Sequence, residues 1–298
     1  MDGNYLLQQM INGVSLGSIY ALVAIGFSIT YSILRLINFA HGDILMIGSF
    51  CALFFLVSLH LPLFLAIAGA MLCAALIGVL VERIAFRPLR SASEEAMLIT
   101  SLAVSIFIEN LGIMTVTAQP RKFEFPQVFS HTYNLGGVSL SNMTLLTVGS
   151  AIFLMLALTF FVKRTKLGKA MRACSENIKV ARLMGIDINI VIAAAFAIGS
   201  ALAAVAGIML GGQYGRIDPL MGFIPGLKAF VAAVIGGIGS IPGAVLGGYA
   251  LGLFEILLVG LLPVDYSGYR DAFVFLLLIV VLLFRPNGLL GSVEGRKI

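Results

Sequence analysis

Nine apolar runs, most of them about 16 to 22 residues long, divide this 298-residue chain, and no soluble domain of that size has an interior able to hide them. They fall at 11–33, 44–59, 63–81, 97–117, 143–162, 190–210, 223–238, 244–262 and 272–284. Only 11% of the residues are charged, against about 25% in soluble domains. The solvent for most of this surface is therefore lipid, and the expected fold class is an all-α polytopic membrane protein. The run at 223–238 is short and flanked by Pro225 and Gly236, and the last run holds 13 residues, below the usual spanning length. Nine crossings, or eight and a broken segment, fit equally.

The chain has 33 Gly and no Trp, a composition suited to bilayer helices, whose close packing depends on small residues. Gly13/Gly17, Gly207/Gly211, Gly243/Gly247 and Gly248/Gly252 have the small-xxx-small spacing. Cys51, Cys73 and Cys174 are odd in number and imply no disulfide framework. Residues 1–10 carry no Lys or Arg, and the run that follows is too long for a signal-peptide core; an uncleaved first span is expected.

The net charge of +5 is explained by topology rather than by nucleic acid. With the N-terminus outside, 14 of the 19 Lys and Arg lie on the cytoplasmic side, among them Arg35, Arg83, Arg87, Arg90, the cluster from Lys163 to Arg182, and Arg296 and Lys297. Four lie outside (Arg121, Lys122, Arg216 and Arg270) and Lys228 falls within a run. This division predicts N-out and C-in. Spans one to four and six to nine then run in opposite directions. Each group has an interrupted second segment, 38–43 and 218–226, as in inverted-repeat transporters built on broken helices. The expected organisation is a single transmembrane domain over 1–298, with a first repeat at 1–118, a connecting part at 119–188 holding an outer loop, the fifth span and a cytoplasmic loop, and a second repeat at 189–298.

Four features bear on function. Asn38-Phe39-Ala40-His41-Gly42-Asp43 places polar side chains at the expected cytoplasmic edge. Asn38, His41 and Asp43 either line a pathway or gate, or Asn38 and Asp43 merely cap the next helix. Glu109, Lys228 and Glu255 lie inside runs, each about 8 to 13 Å from the outer end of its helix at 1.5 Å per residue. They meet as a structural ion pair or line the path of a zwitterion, unless Lys228 snorkels. In the loop 163–188, Met171, Cys174, Ile178, Ala181 and Met184 recur at helical spacing, and Gly185 is a stop. That apolar stripe needs a partner, a protein groove or the lipid interface. The glycines at 236–243 do not have nucleotide-loop spacing, and no G-x-x-x-x-G-K-[ST] occurs.

Asn38 to Asp43 after a first span containing Gly17-Ser18-Ile19-Tyr20-Ala21-Leu22, the loop Gly168 to Ile186, and Gly236-Gly237-Ile238-Gly239-Ser240-Ile241-Pro242-Gly243-Ala244 occur in order. Together they resemble the LivH-type permeases of the branched-chain amino-acid ABC importer family. The resemblance implies a subunit of the inner (cytoplasmic) membrane that makes no covalent bond. It also implies partners: a second, LivM-like permease, two cytoplasmic ATPases that hold the ATP, and a periplasmic or extracellular substrate-binding protein. It places ATPase coupling on the loop helix, at Met171, Arg172, Cys174, Glu176 and Ile178. No cofactor, catalytic residue or metal ligand is expected on this chain. A urea or amide importer, a stand-alone channel and a secondary carrier are the alternatives. An intramembrane enzyme fits poorly, since His41, His60 and His131 all fall at edges or in loops.

Overall fold

The computed structural model describes residues 3–90, 92–116, 118–263 and 268–291. All nine apolar runs are helical. They form α1 (Gly3–Leu34), α2 (Ala40–Val57), α3 (Leu63–Val81), α4 (Glu94–Thr115), α5 (Asn142–Arg164), α8 (Ile188–Tyr214), α9 (Phe223–Gly236), α10 (Ile241–Leu261) and α11 (Arg270–Phe284). Among the described residues, seven are long and apolar enough to cross a membrane; α9 and α11 have 14 and 15 residues. At 1.5 Å per residue each reaches roughly 21 to 23 Å, short of a hydrocarbon layer about 30 Å thick. The loop 163–188 forms two further helices, α6 (Lys166–Glu176) and α7 (Ile178–Leu183). Arg296 and Lys297, counted above on the basic side, lie outside the described residues.

The core is built around α1. This helix has no charged residue, and from Leu16 to Thr30 every side chain is buried. Its small residues set how close α10 comes. A methyl group at Gly17 would lie 2.9 Å from Tyr249 Cα, and one at Gly13 would lie 3.0 Å from Leu253 Cα. From the other side, methyl groups at Gly248 and Gly252 would strike the backbone at Ala21 and Gly17. Two of the small-xxx-small pairs are thus the two faces of one contact, and backbone-to-backbone packing replaces the interlocking of large side chains.

The remaining contacts are reciprocal. α1 lies against α9 and α10, whereas α8 lies against α2 and α3; α2 touches α4 as α9 touches α11. After α1, Arg35 takes a left-handed conformation with φ of 55°, and the chain turns back into the bundle before α2 starts. After α8, Gly215 turns the chain in the same way, and Arg216–Ile217 (β4) leads towards α9. The end near β4 carries two small ribbons: Arg121–Lys122 (β1) pairs with β4, and Thr132–Leu135 (β2) pairs with Val138–Ser141 (β3). Asn4 and Gln8 at the start of α1 fasten the β2–β3 hairpin through Gly136 and Ser139.

Candidate functional site

The start of α2 is recessed within the bundle, so 38–43 does not sit at an edge as the sequence suggests. The His41 ring wedges against Gly26 of α1 and Gly199 of α8, and stands edge-on to Phe27 with 4.8 Å between centroids. Gly26 is eight residues before the end of α1, about 12 Å along the axis. Gly42 explains the depth. A methyl group there would come within 2.6 Å of the Gly222 carbonyl and 3.0 Å of Gly226 Cα, so the first turn of α2 touches the first turn of α9 backbone to backbone. Two helix N-termini, each reached by a returning loop, meet inside the protein.

Most polar side-chain atoms at this junction have no protein partner, although the His41 ring is hydrogen-bonded to the Val23 backbone. Asn38 is 1% exposed and neither end of its amide is bonded; His41 is 2% exposed with Nε2 unbonded; Asp43 is fully buried with both carboxylate oxygens unbonded. Ser105 of α4 stands beside Asp43 outside hydrogen-bond geometry, and the Glu109 carboxylate is within electrostatic reach of it. None of these side chains caps α2, whose N-terminal residue Phe39 accepts no side-chain bond. A buried polar group without a protein partner takes one from water or a ligand, or costs roughly 1 to 3 kcal/mol. Such a cluster persists because the glycine contact and the surrounding helices hold it in place.

In a second cluster every charge has an ion-pair partner. Lys228 Nζ lies 2.8 Å from Glu255 Oε1 and 2.7 Å from Asp271 Oδ1, and Arg270 Nε lies 3.1 Å from Glu255 Oε1. Tyr20 donates a hydrogen bond of 2.9 Å to Glu255 Oε2. Lys228 and Glu255 are buried, and the two cations offset the two carboxylates. Of the three intramembrane charges the sequence singles out, Lys228 and Glu255 meet; Glu109, on the half-buried side of α4, faces Asp43 and does not join them.

The loop helices correct another expectation. Thr165 caps α6 by accepting a bond from the Gly168 N–H, Asn177 caps α7, and Gly185 with φ of 82° ends it. The apolar stripe is there, but Met171, Cys174 and Ala181 are buried and Ile178 is half-buried in the chain's own core, where α6 meets α5, α8 and α1. An amphipathic helix tied to a bundle by one turn finds that bundle before any other surface. Burial also pushes the Cys174 thiol above its usual range. The face left outward holds Arg172, Glu176 and Lys179, with Leu183 and Met184 at 85% and 78% exposure.

Comparison with known proteins decides the family. The family described as "Branched-chain amino acid transport system / permease component" matches residues 9–282. The chain belongs to this permease family. It is 42% identical to the high-affinity branched-chain amino acid transport system permease protein LivH of Escherichia coli (strain K12), over 99% of this chain and 98% of that one. It is equally identical, with the same coverage, to the permease protein BraD of Pseudomonas aeruginosa. Among solved structures, PsaBC from Streptococcus pneumoniae in complex with Fab has the same fold at a TM-score of 0.50 and 15% identity, covering 95% of this chain and 92% of that one. The relatives are transport permeases, not enzymes, and a permease of such a system works with partner components.

Within the permease, sequence reasoning missed Tyr20, Arg270 and Asp271. Tyr20 sits in an apolar run without a charge to flag it, and Arg270 and Asp271 stand at a run's edge, where they read as loop residues. A buried Lys with only one candidate carboxylate nearby in sequence would have been the signal to look for more.

Proposed function

We propose that this permease forms one half of the translocation pathway of an ATP-driven importer that carries branched-chain, hydrophobic amino acids across the cytoplasmic membrane. In this reading the N-terminus is outside and the C-terminus inside, the orientation that the distribution of basic residues supports. The other components are a second, LivM-like permease, two ATPases holding the ATP, and a soluble substrate-binding protein outside. Residues 1–118 and 189–298 act as inverted repeats, a reading supported by the reciprocal packing of α1 and α8 on each other's following helices.

The observation that carries the mechanism is the meeting of α2 and α9 at Gly42 and Gly222, beside Asn38, His41 and Asp43. Broken helices inside a bundle are tolerated where they line a cavity or a path. Their positive ends suit a substrate carboxylate, and an unbonded buried carboxylate suits an ammonium group. Rocking one repeat against the other would open this junction alternately to the two sides. The ATPases drive that motion through α6 and α7. Arg172 and Glu176 keep the flanking roles expected of them, while Leu183 and Met184 take the place of Met171, Cys174 and Ile178 as the outward anchors.

Uptake of labelled leucine by cells expressing the chain with its partners tests the reading. ATP depletion at a clamped ion gradient should abolish uptake, and excess isoleucine or valine should compete while urea and short amides do not. Uptake that follows the ion gradient, or competition by amides alone, would contradict it.

A further inference from the structure

Among the described residues, α4 leans on α2 and meets the extension of α3 chiefly at the π-helical turn Glu82–Phe86, so α3 and α4 splay apart. Between α2, α3 and α4 they leave a crevice of about 780 Å³ whose walls include Met46, Phe50, Ile77, Leu80, Phe107 and Leu111. Among the described residues, no charged side chain lines it. Its rims are exposed sideways at Phe54, Leu80, Ile84 and Phe107, where hydrocarbon surrounds a spanning protein. One end opens into a second pocket of about 440 Å³ that shares Phe50, Phe54 and Val116 and adds Ser58, Arg121 and Lys122. Arg121 is anchored by a bond from its guanidinium to the Val116 carbonyl, 3.0 Å long. The β1–β4 pairing sets Lys122 opposite Arg216. The mouth thus holds Arg121 and Lys122 with Arg216 on the neighbouring strand, against the Glu124 carboxylate paired with Lys122, while Asp218 is turned to the Leu220 N–H of its own loop.

An uncharged apolar slot continuous with a cationic mouth selects for a long hydrocarbon tail carrying an anionic head. We propose that this is a binding site for an anionic phospholipid, its acyl chain in the α2–α3–α4 crevice and its phosphate against Arg121 and Lys122. The site does not depend on the transport reading; only the leaflet, the outer one, follows from the proposed orientation. A branched-chain amino acid fits less well. Its side chain would leave most of the crevice unfilled, and among the described residues the carboxylate at the mouth, Glu124, is already paired with Lys122 and lines neither compartment. Tails are as apolar as the walls, so the crevice alone gives occupancy without preference. Preference comes from the head, at about fivefold for each basic side chain near the membrane surface.

The test is native mass spectrometry of the full-length chain with its partner subunits, released from nanodiscs of equal parts phosphatidylcholine and phosphatidylglycerol. The wild type should retain phosphatidylglycerol in preference, on the order of twentyfold. Arg121→Gln/Lys122→Gln should bring the two lipids close to parity, Glu124→Gln should raise the preference, and Leu111→Trp, which fills the crevice, should remove both lipids. High salt should weaken the wild-type preference without any substitution. Equal retention of the two lipids by the wild type, or a preference unchanged in the double variant and in salt, would overturn the proposal. So would Leu111→Trp releasing the second permease while lipid retention stays the same, because the crevice would then be filled by protein.

Discussion

The bundle buries two polar clusters in opposite condition. At Lys228, Glu255, Arg270 and Asp271 every charge has a partner, and Tyr20 completes the set. At Asn38, His41 and Asp43 buried polar atoms have none, although the two clusters are joined by a single helix, α9, whose first turn touches Gly42 and whose middle carries Lys228. Paired charges lock a geometry, since separating them exposes each to a medium that cannot solvate it. Unpaired polar groups favour whichever state supplies partners. On the proposed mechanism, one cluster is frame and the other is the part of the permease that changes during transport.

The largest effect expected of any single change is at Lys228. Lys228→Met leaves Glu255 with only Arg270 and Tyr20, and should lower stability by about 3 kcal/mol or more, read as a fall in the melting temperature of the purified subunit. Lys228→Met/Glu255→Gln should recover much of that loss. Losses that simply add would remove the pairing from the account. A smaller change in stability is expected at the junction: Gly42→Val drives side-chain atoms into the Gly222 carbonyl and Gly226, at about 1 to 3 kcal/mol, with uptake lost entirely. Uptake persisting at the wild-type rate would show that the contact is dispensable.

How far the sequence revealed this arrangement depended on which force set each feature. The nine helices were legible because apolarity over a span's length is a local property, and the loop helix was legible because its stripe is periodic. The depth of His41 was not, because the re-entry of 35–39 is fixed by Gly42 meeting Gly222, a contact between residues 180 positions apart. Lys228 and Glu255 were legible as a pair because charges inside spans need each other; Glu109 misled, since it sits on α4, which packs against α2, and acts on Asp43 instead. The stripe at Met171 and Cys174 announced a partner but not that the partner is the same chain.

The smallest effect concerns that stripe. Cys174 is buried and its thiol is pushed above the usual 9.0, so at pH 8 the reactive thiolate is scarcer than in an ordinary cysteine. In a background with Cys51 and Cys73 replaced by Ala, maleimide should label Cys174 much more slowly than a cysteine placed by Leu183→Cys, and the Cys174 rate should keep rising above pH 9. Equal rates would mean that α6 turns its apolar face outward.

The most direct test of frame against moving part compares Asp43→Asn with Glu255→Gln, measuring melting temperature and leucine uptake for both. Asp43 has no protein bond to lose, so Asp43→Asn should leave the melting temperature unchanged or slightly higher while uptake falls at least tenfold; Glu255→Gln should lower the melting temperature by several degrees. If Asp43→Asn destabilises the permease as much as Glu255→Gln and leaves uptake intact, the distinction between the two clusters is wrong.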